Sequence, residues 1–253
     1  MDIKNFLKLL LLLSIILTGI AAIYGIVSLY KNKSGKFHIT IIILSLLLLA
    51  PFFIIRGNLK TYFPFTDKVE SFTALYFMFL ATVLVYQKIL TLKEGIALMI
   101  LGMLTGFSVF LFTDTIRYPS PYLRTLWFPL HVPLSFASYA LWITAGVRSV
   151  SILKTGSGDS HFITHLNRMG FIFFSLSMIF GGIWGYFAWG AYFMWDPKLI
   201  WSVVLWLFYG NMLHIDTLQS FKKLKHPLYV LGIIFILITF IGTGFFSRSI
   251  HRF

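Results

Sequence analysis

Between Gly182 and Trp201 the chain reads GIWGYFAWGAYFMWDPKLIW, a stretch that holds Trp184, Trp189, Trp195 and Trp201 and a single carboxylate, Asp196. On a helix turning about 100° per residue, the spacings of the first three indoles point them roughly 120 to 140° apart. One packing stripe does not account for them. Gly182, Gly185 and Gly190 remove side chains between the rings, so a bent backbone here can hold wide aromatic faces against a large flat ligand. The same residues suit the aromatic belt that gathers at any membrane surface, and composition leaves both readings open.

Histidine is the other residue type able to do chemistry. With no cysteine there is no disulfide, thiolate metal site or thiol relay, so sulfur must come from a partner. His131 and His251 stand at the ends of apolar runs, and His214 lies 17 residues past Pro197. At 1.5 Å per residue that places His214 about 26 Å deeper, near the far edge of the hydrocarbon, where an ionisable group is a functional candidate. His161 and His165 share a face if helical and could bind a metal. No Glu follows His161 and the neighbours are polar, so both read as solvated, and His226 reads as facing headgroups.

The elements that position these residues are apolar spans. The 253 residues are 58% hydrophobic and 11% charged, more apolar than a soluble core can use. The expected fold is all-α: a polytopic helical membrane protein with about eight transmembrane helices and an external tryptophan-rich segment between the sixth and seventh. The runs lie at about 6–30, 39–55, 71–89, 96–112, 131–150, 169–185, 197–214 and 228–246. The first is too long for a signal peptide. Residues 56–70 read as a polar, aromatic connection, 114–130 as a proline-containing one and 154–167 as a solvated loop. Within a single integral membrane domain, 1–113 reads as a four-span scaffold with few polar side chains and 114–253 as the functional core. Asp196-Pro197 is a helix-start signature. The net charge of +13 sits in short connections, as anionic lipid headgroups favour, and implies no nucleic acid.

Counting crossings puts His131, the tryptophan segment and His251 on one membrane face. From His131 onward Arg148, Lys154, Arg168, Lys222, Lys223 and Lys225 fall on the other face, against Lys198, Arg248 and Arg252 on this one. That bias favours the tryptophan face as the outer one, although over the whole chain the split is 11 against 10 and charge alone leaves the orientation open.

The order Trp-Gly, three residues, Trp-Gly, four residues, Trp-Asp-Pro-Lys resembles the tryptophan-rich WWD segment of the haem-handling proteins of cytochrome c biogenesis. Its Asp-Pro-Lys ending is similar to the CcsA (ResC) family, whereas the CcmC branch usually has Asp-Ala-Arg. The resemblance covers roughly the second half of the chain, and it departs at Phe193, where a Trp is usual, and at Leu199, where a Glu is usual.

The resemblance implies a system II cytochrome c haem lyase subunit in a bacterial inner or thylakoid-like membrane. It would bind and export haem b and present it for thioether attachment to the CxxCH motif of apocytochrome c. It implies His131 and His251 as outer axial ligands of the haem iron. Trp184, Trp189, Tyr192, Trp195 and Trp201 would be its aromatic wall, and Lys198 would lie beside it. His131, His251, Trp184, Trp189, Trp195 and Asp196 would carry the reaction, although helix capping is a competing explanation for Asp196. His214 would serve a membrane-embedded haem with a histidine from a CcsB (ResB) partner, and His38 could stand in for that mate. Arg117, Arg124, Arg248 and Arg252 are further cations for propionates, and snorkelling explains them equally well. The competing readings are a CcmC-like haem delivery factor, a small-molecule transporter and a structural scaffold.

Overall fold

A computed structural model of the chain describes residues 2–31, 39–113, 116–215 and 218–242, and among them all regular structure is helical. The α-helices are α1 (Ile3–Tyr30), α2 (Ile39–Lys60), α3 (Lys68–Val85), α4 (Leu92–Ser108), α5 (Trp127–Thr155), α6 (Ser160–Trp189), α7 (Pro197–Met212) and α8 (Lys225–Leu237). Among the described residues, seven helical stretches are long and apolar enough to cross a bilayer. The protein is therefore the polytopic helical membrane protein its composition requires. α7, with 16 residues, rises about 24 Å, short of a hydrocarbon core of about 30 Å.

The chain divides into two compact units, Met1–Arg124 and Thr125–Phe253. In the first, α1 lies against α2 and α4, and α3 against α4 and α2. Hydrocarbon offers a hydroxyl no partner, so hydroxyls inside such a bundle bond to one another. Tyr76 OH lies 2.6 Å from Thr18 Oγ1 and 3.0 Å from Ser14 Oγ, and Ser14 Oγ donates to the Ser45 carbonyl. α4 makes room for the tyrosine ring with Gly102 and Gly106, where an added Cβ would stand 3.1 and 3.3 Å from it.

The α2–α3 elbow corrects the reading of residues 56–70 as a connection between spans. Instead of ending near Ile55, α2 runs on to Lys60, carrying Arg56 and Lys60 inside the helix. Arg56 and Glu70 are completely buried and Lys60 almost so. Arg56 Nε lies 2.8 Å from Glu70 Oε1, its Nη2 lies 2.7 Å from Asp67 Oδ2, and Lys60 Nζ lies 2.6 Å from Glu70 Oε1. Two cations matched to two carboxylates offset the desolvation that either charge alone would suffer. That match lets the helix continue through residues that otherwise read as a connection. Asp67 also caps α3, accepting from the Glu70 N–H at 2.9 Å. Burial alone would raise its carboxyl, but Arg56 and Lys60 outweigh burial and hold it below the ordinary aspartate value.

In the second unit, α5 and α6 are the longest helices and pack extensively along each other. Gly156 closes α5 in the left-handed conformation, φ 68°, and Asp159 caps α6 by accepting from the His161 N–H at 2.8 Å. The solvated loop expected over 154–167 is thus a short turn followed by helix. Phe162, Ile163 and Leu166 are buried while His161 and His165 share the exposed face, an amphipathic pattern hidden by its polar half. α5 likewise begins before His131, at Trp127, because Pro129 falls in its first turn, where a missing N–H breaks no helical bond.

Farther along α5, the Trp142 ring stacks on Tyr209 of α7 with centroids 3.9 Å apart and planes 4° from parallel. Trp142 Nε1 donates to Asn167 Oδ1 at 3.0 Å, and Asn167 Nδ2 donates to the Tyr209 carbonyl, so one buried amide joins α5, α6 and α7. α8 packs on α5 beside Gly146, where an added Cβ would strike Ile233. Lys225, the first residue of α8, donates to Ser160 Oγ at 2.7 Å.

Candidate functional site

His131 sits one turn into α5, facing α6. Its Nδ1 lies 2.8 Å from the Ser177 carbonyl oxygen and 2.9 Å from Ser177 Oγ. A carbonyl oxygen can only accept, so Nδ1 carries the hydrogen, and in the neutral ring Nε2 keeps its lone pair. An imidazole anchored through one nitrogen in this way offers the other to a metal.

Trp184, 2% exposed, lies beside that imidazole with ring centroids 6.3 Å apart and planes 20° from parallel. Phe128 of α5 and Trp189 pack on it at 4.9 and 4.8 Å. The angular spacing of Trp184 and Trp189 predicted diverging rings. They meet edge to face instead, with ring planes at 66°.

Gly190 ends α6 at φ 76°, its N–H bonding the Tyr186 carbonyl at 2.9 Å. Residues 191–195 then return along α6 with their backbone against its glycines. An added Cβ on Gly182 would lie 3.4 Å from the Tyr192 carbonyl oxygen, and one on Gly185 would lie 3.2 Å from that of Ala191. The Tyr192 ring stacks on Tyr186 at 4.7 Å and 14°. Trp195, 86% exposed, meets only the edge of Phe193 among the described rings.

Asp196 is buried and caps α7, accepting from the Lys198 N–H at 2.9 Å, with Pro197 at the first helical position as its sequence signature predicts. The Lys198 ammonium is close enough to interact electrostatically with both the Asp196 carboxylate and the His131 imidazole. Trp201 turns elsewhere. Its ring packs on Phe235 of α8 at 6.2 Å, and its carbonyl accepts from Thr239 Oγ1.

The structure therefore gathers His131, Trp184 and Trp189, with Lys198 in electrostatic range. Tyr192 and Trp195 stand on an exposed aromatic shelf, and Trp201 joins the α7–α8 contact. His214 lies in the turn beyond α7, which ends at Met212, and is exposed. His251, Arg248, Arg252 and His38 lie outside the described residues. Arg124, in the first unit, lies over the Tyr118 ring and donates to the Pro119 carbonyl. Sequence reasoning missed Phe128, Ser135, Ser177 and Gly181. The available signal was spacing: Ser135 follows His131 by one helical turn, as Gly181 follows Ser177. Among the described residues no group of three or more His, Asp or Glu could hold a metal ion.

Residues 65–251 match the family described as cytochrome C assembly protein. Relatives named cytochrome c biogenesis protein CcsA include one from Prochlorococcus marinus strain MIT 9301, 25% identical, covering 100% of this chain and 98% of that protein. Another, from strain MIT 9515, is 27% identical and covers 90% and 87% respectively. A third, from Chlamydomonas reinhardtii, is 25% identical and covers 93% and 73%.

Proposed function

We propose, from the premise that this chain belongs to the cytochrome c assembly protein family, that it is the haem-handling subunit of a membrane cytochrome c haem lyase. A role in cytochrome c biogenesis comes with the family. The finer reading is that haem b is the cargo, held at the tryptophan segment on the outer face of a bacterial inner or thylakoid-like membrane. There it would be presented to the CxxCH motif of apocytochrome c.

The observation that carries this reading is His131. Its Nδ1–H is tied to the Ser177 carbonyl, its Nε2 lone pair remains, and Trp184 lies beside the ring at 6.3 Å. That donor set suits a haem iron, which takes a neutral imidazole nitrogen as axial ligand. Lys198 and the exposed faces of Tyr192 and Trp195 suit its anionic and aromatic edges. The macrocycle, when bound, supplies the vinyl groups across which two cysteine S–H bonds add.

The chain's own residues have simpler tasks. His131 and, from the resemblance, His251 would hold the cargo by two imidazoles and so exclude other ligands. The indoles orient its edge, and positioning alone can supply several kcal/mol of a barrier. Asp196 fixes the start of α7 and with it the place of Lys198. His214, at the other end of α7 from Asp196, suits a second, embedded haem whose remaining ligand comes from a CcsB (ResB) type partner.

The full chain purified in mild detergent tests this. The expected result is a bis-histidine haem spectrum that weakens in His131→Ala and in His251→Ala and disappears in the double variant. A colourless, well-folded preparation would instead favour a transporter or a scaffold.

A further inference from the structure

The contact between α5 and α6 around His131 is a reciprocal clamp. α5 contributes His131 and, one turn on, Ser135; α6 contributes Ser177 and, one turn on, Gly181. The two serine hydroxyls bond each other, and both reach the His131 carbonyl, Ser177 Oγ at 2.9 Å and Ser135 Oγ at 3.2 Å. The Ser177 carbonyl accepts from His131 Nδ1. In an α-helix that carbonyl already receives the N–H of the residue four places on, here Gly181. Its second lone pair can take another donor only if the side chain at that place leaves a passage.

Gly181 leaves the passage open. A Cβ added there would stand 2.6 Å from His131 Nδ1 and 2.8 Å from Cε1. Real Cβ atoms do not approach other heavy atoms so closely, and the obstacle is the ring itself. Any larger residue at 181 must push the imidazole off the Ser177 carbonyl. Gly170, about three turns of α6 away, does the same for Trp142, where an added Cβ would meet Nε1 at 2.5 Å. The α5–α6 contact thus uses glycine where a ring of α5 enters α6.

We propose that Gly181, Ser177 and Ser135 are positioning residues for His131: the glycine admits the ring, the carbonyl fixes its Nδ1–H tautomer, and the hydroxyl pair locks the two helices at that level. The use made of the presented Nε2 rests on the haem reading above; the clamp itself does not. Outer partners that orient a ligating histidine contribute on the order of 10- to 100-fold in metal affinity.

Two measurements on the full chain in detergent test the clamp. In haem-free protein labelled with ¹⁵N-histidine, with the His131 signals assigned by their loss in His131→Gln, a protonated Nδ1 and a lone-pair Nε2 are expected. Ser177→Ala keeps the backbone carbonyl and so keeps this tautomer. Gly181→Ala should erase the fixed tautomer and weaken haem binding on the order of 10- to 100-fold. A protonated Nε2 in the unaltered protein overturns the proposal, as does a Gly181→Ala variant with an unchanged His131 spectrum. Should Gly181→Ala not fold, the spectrum of the unaltered protein decides alone. If the tautomer is as expected but His131→Gln retains its full haem spectrum, the haem reading falls and the clamp stands.

Discussion

The two units handle buried polarity in opposite ways. At the α2–α3 elbow, Arg56, Lys60, Asp67 and Glu70 close on one another at 2.5 to 2.8 Å, and Tyr76 closes on Ser14 and Thr18. In the second unit, His131 is held among the described residues by one nitrogen, and the rings beyond Gly190 are turned outward, with Tyr192 64% and Trp195 86% exposed. A polar group whose capacity is spent inside the chain supports the fold. One left half-satisfied beside exposed aromatic surface is available to something else. This contrast, more than the presence of charge or aromaticity, separates the elbow of the first unit from the candidate site of the second.

Breaking the closed network should have a large effect. Arg56→Met leaves Glu70 buried without its closest guanidinium, a loss of about 3–5 kcal/mol for a broken buried pair. Arg56→Met combined with Glu70→Gln should recover part of it. Thermal unfolding in detergent reads both, and a single variant as stable as the parent would dissolve the contrast.

The second unit can be divided by its own tryptophans. Trp184→Ala opens a cavity beside His131 and should cost about 3–5 kcal/mol. Trp195→Ala should leave stability within about 0.5 kcal/mol while weakening haem retention. Equal stability losses in the two variants would show that the shelf is packing rather than surface.

Acid gives the smallest effect and sharpens the comparison from the other side. The folded Asp67 carboxyl is held below its ordinary value, so its contribution is complete above the unfolded aspartate pKa, about 3.9, and is lost as pH falls through the lower folded value. Asp67→Asn should flatten the acid limb of a melting-temperature profile. A profile unchanged by that substitution would place the elbow's stability elsewhere.

Much of this was legible in the chain. Long apolar runs determine the helices, Asp196-Pro197 marks the start of α7, and the tryptophan order leads to the family. What escaped was partnership. Arg56 and Glu70 read as a polar connection because a run of letters does not show that two charges fourteen residues apart will neutralise each other. Residues 160–167 read as a loop because their exposed half is polar and their buried half is short. Ser177 and Gly181 carry only a one-turn spacing, which on its own signals no chemistry. Their role exists only once α5 lies against α6 and a ring needs both an acceptor and a gap.

One consequence follows from how residues 191–195 are anchored. Gly190 ends the preceding helix in a left-handed turn, and Asp196 with Pro197 starts the next, so both ends of the segment are clamped within a few bonds of its aromatic rings. Such a shelf has little slack to fold over a visitor or swing away from it. For the cargo proposed above, capture and release would then be governed by exchange of the bonds made to it, and lengthening this segment by even one residue should disturb recognition more than the loss of any single exposed ring.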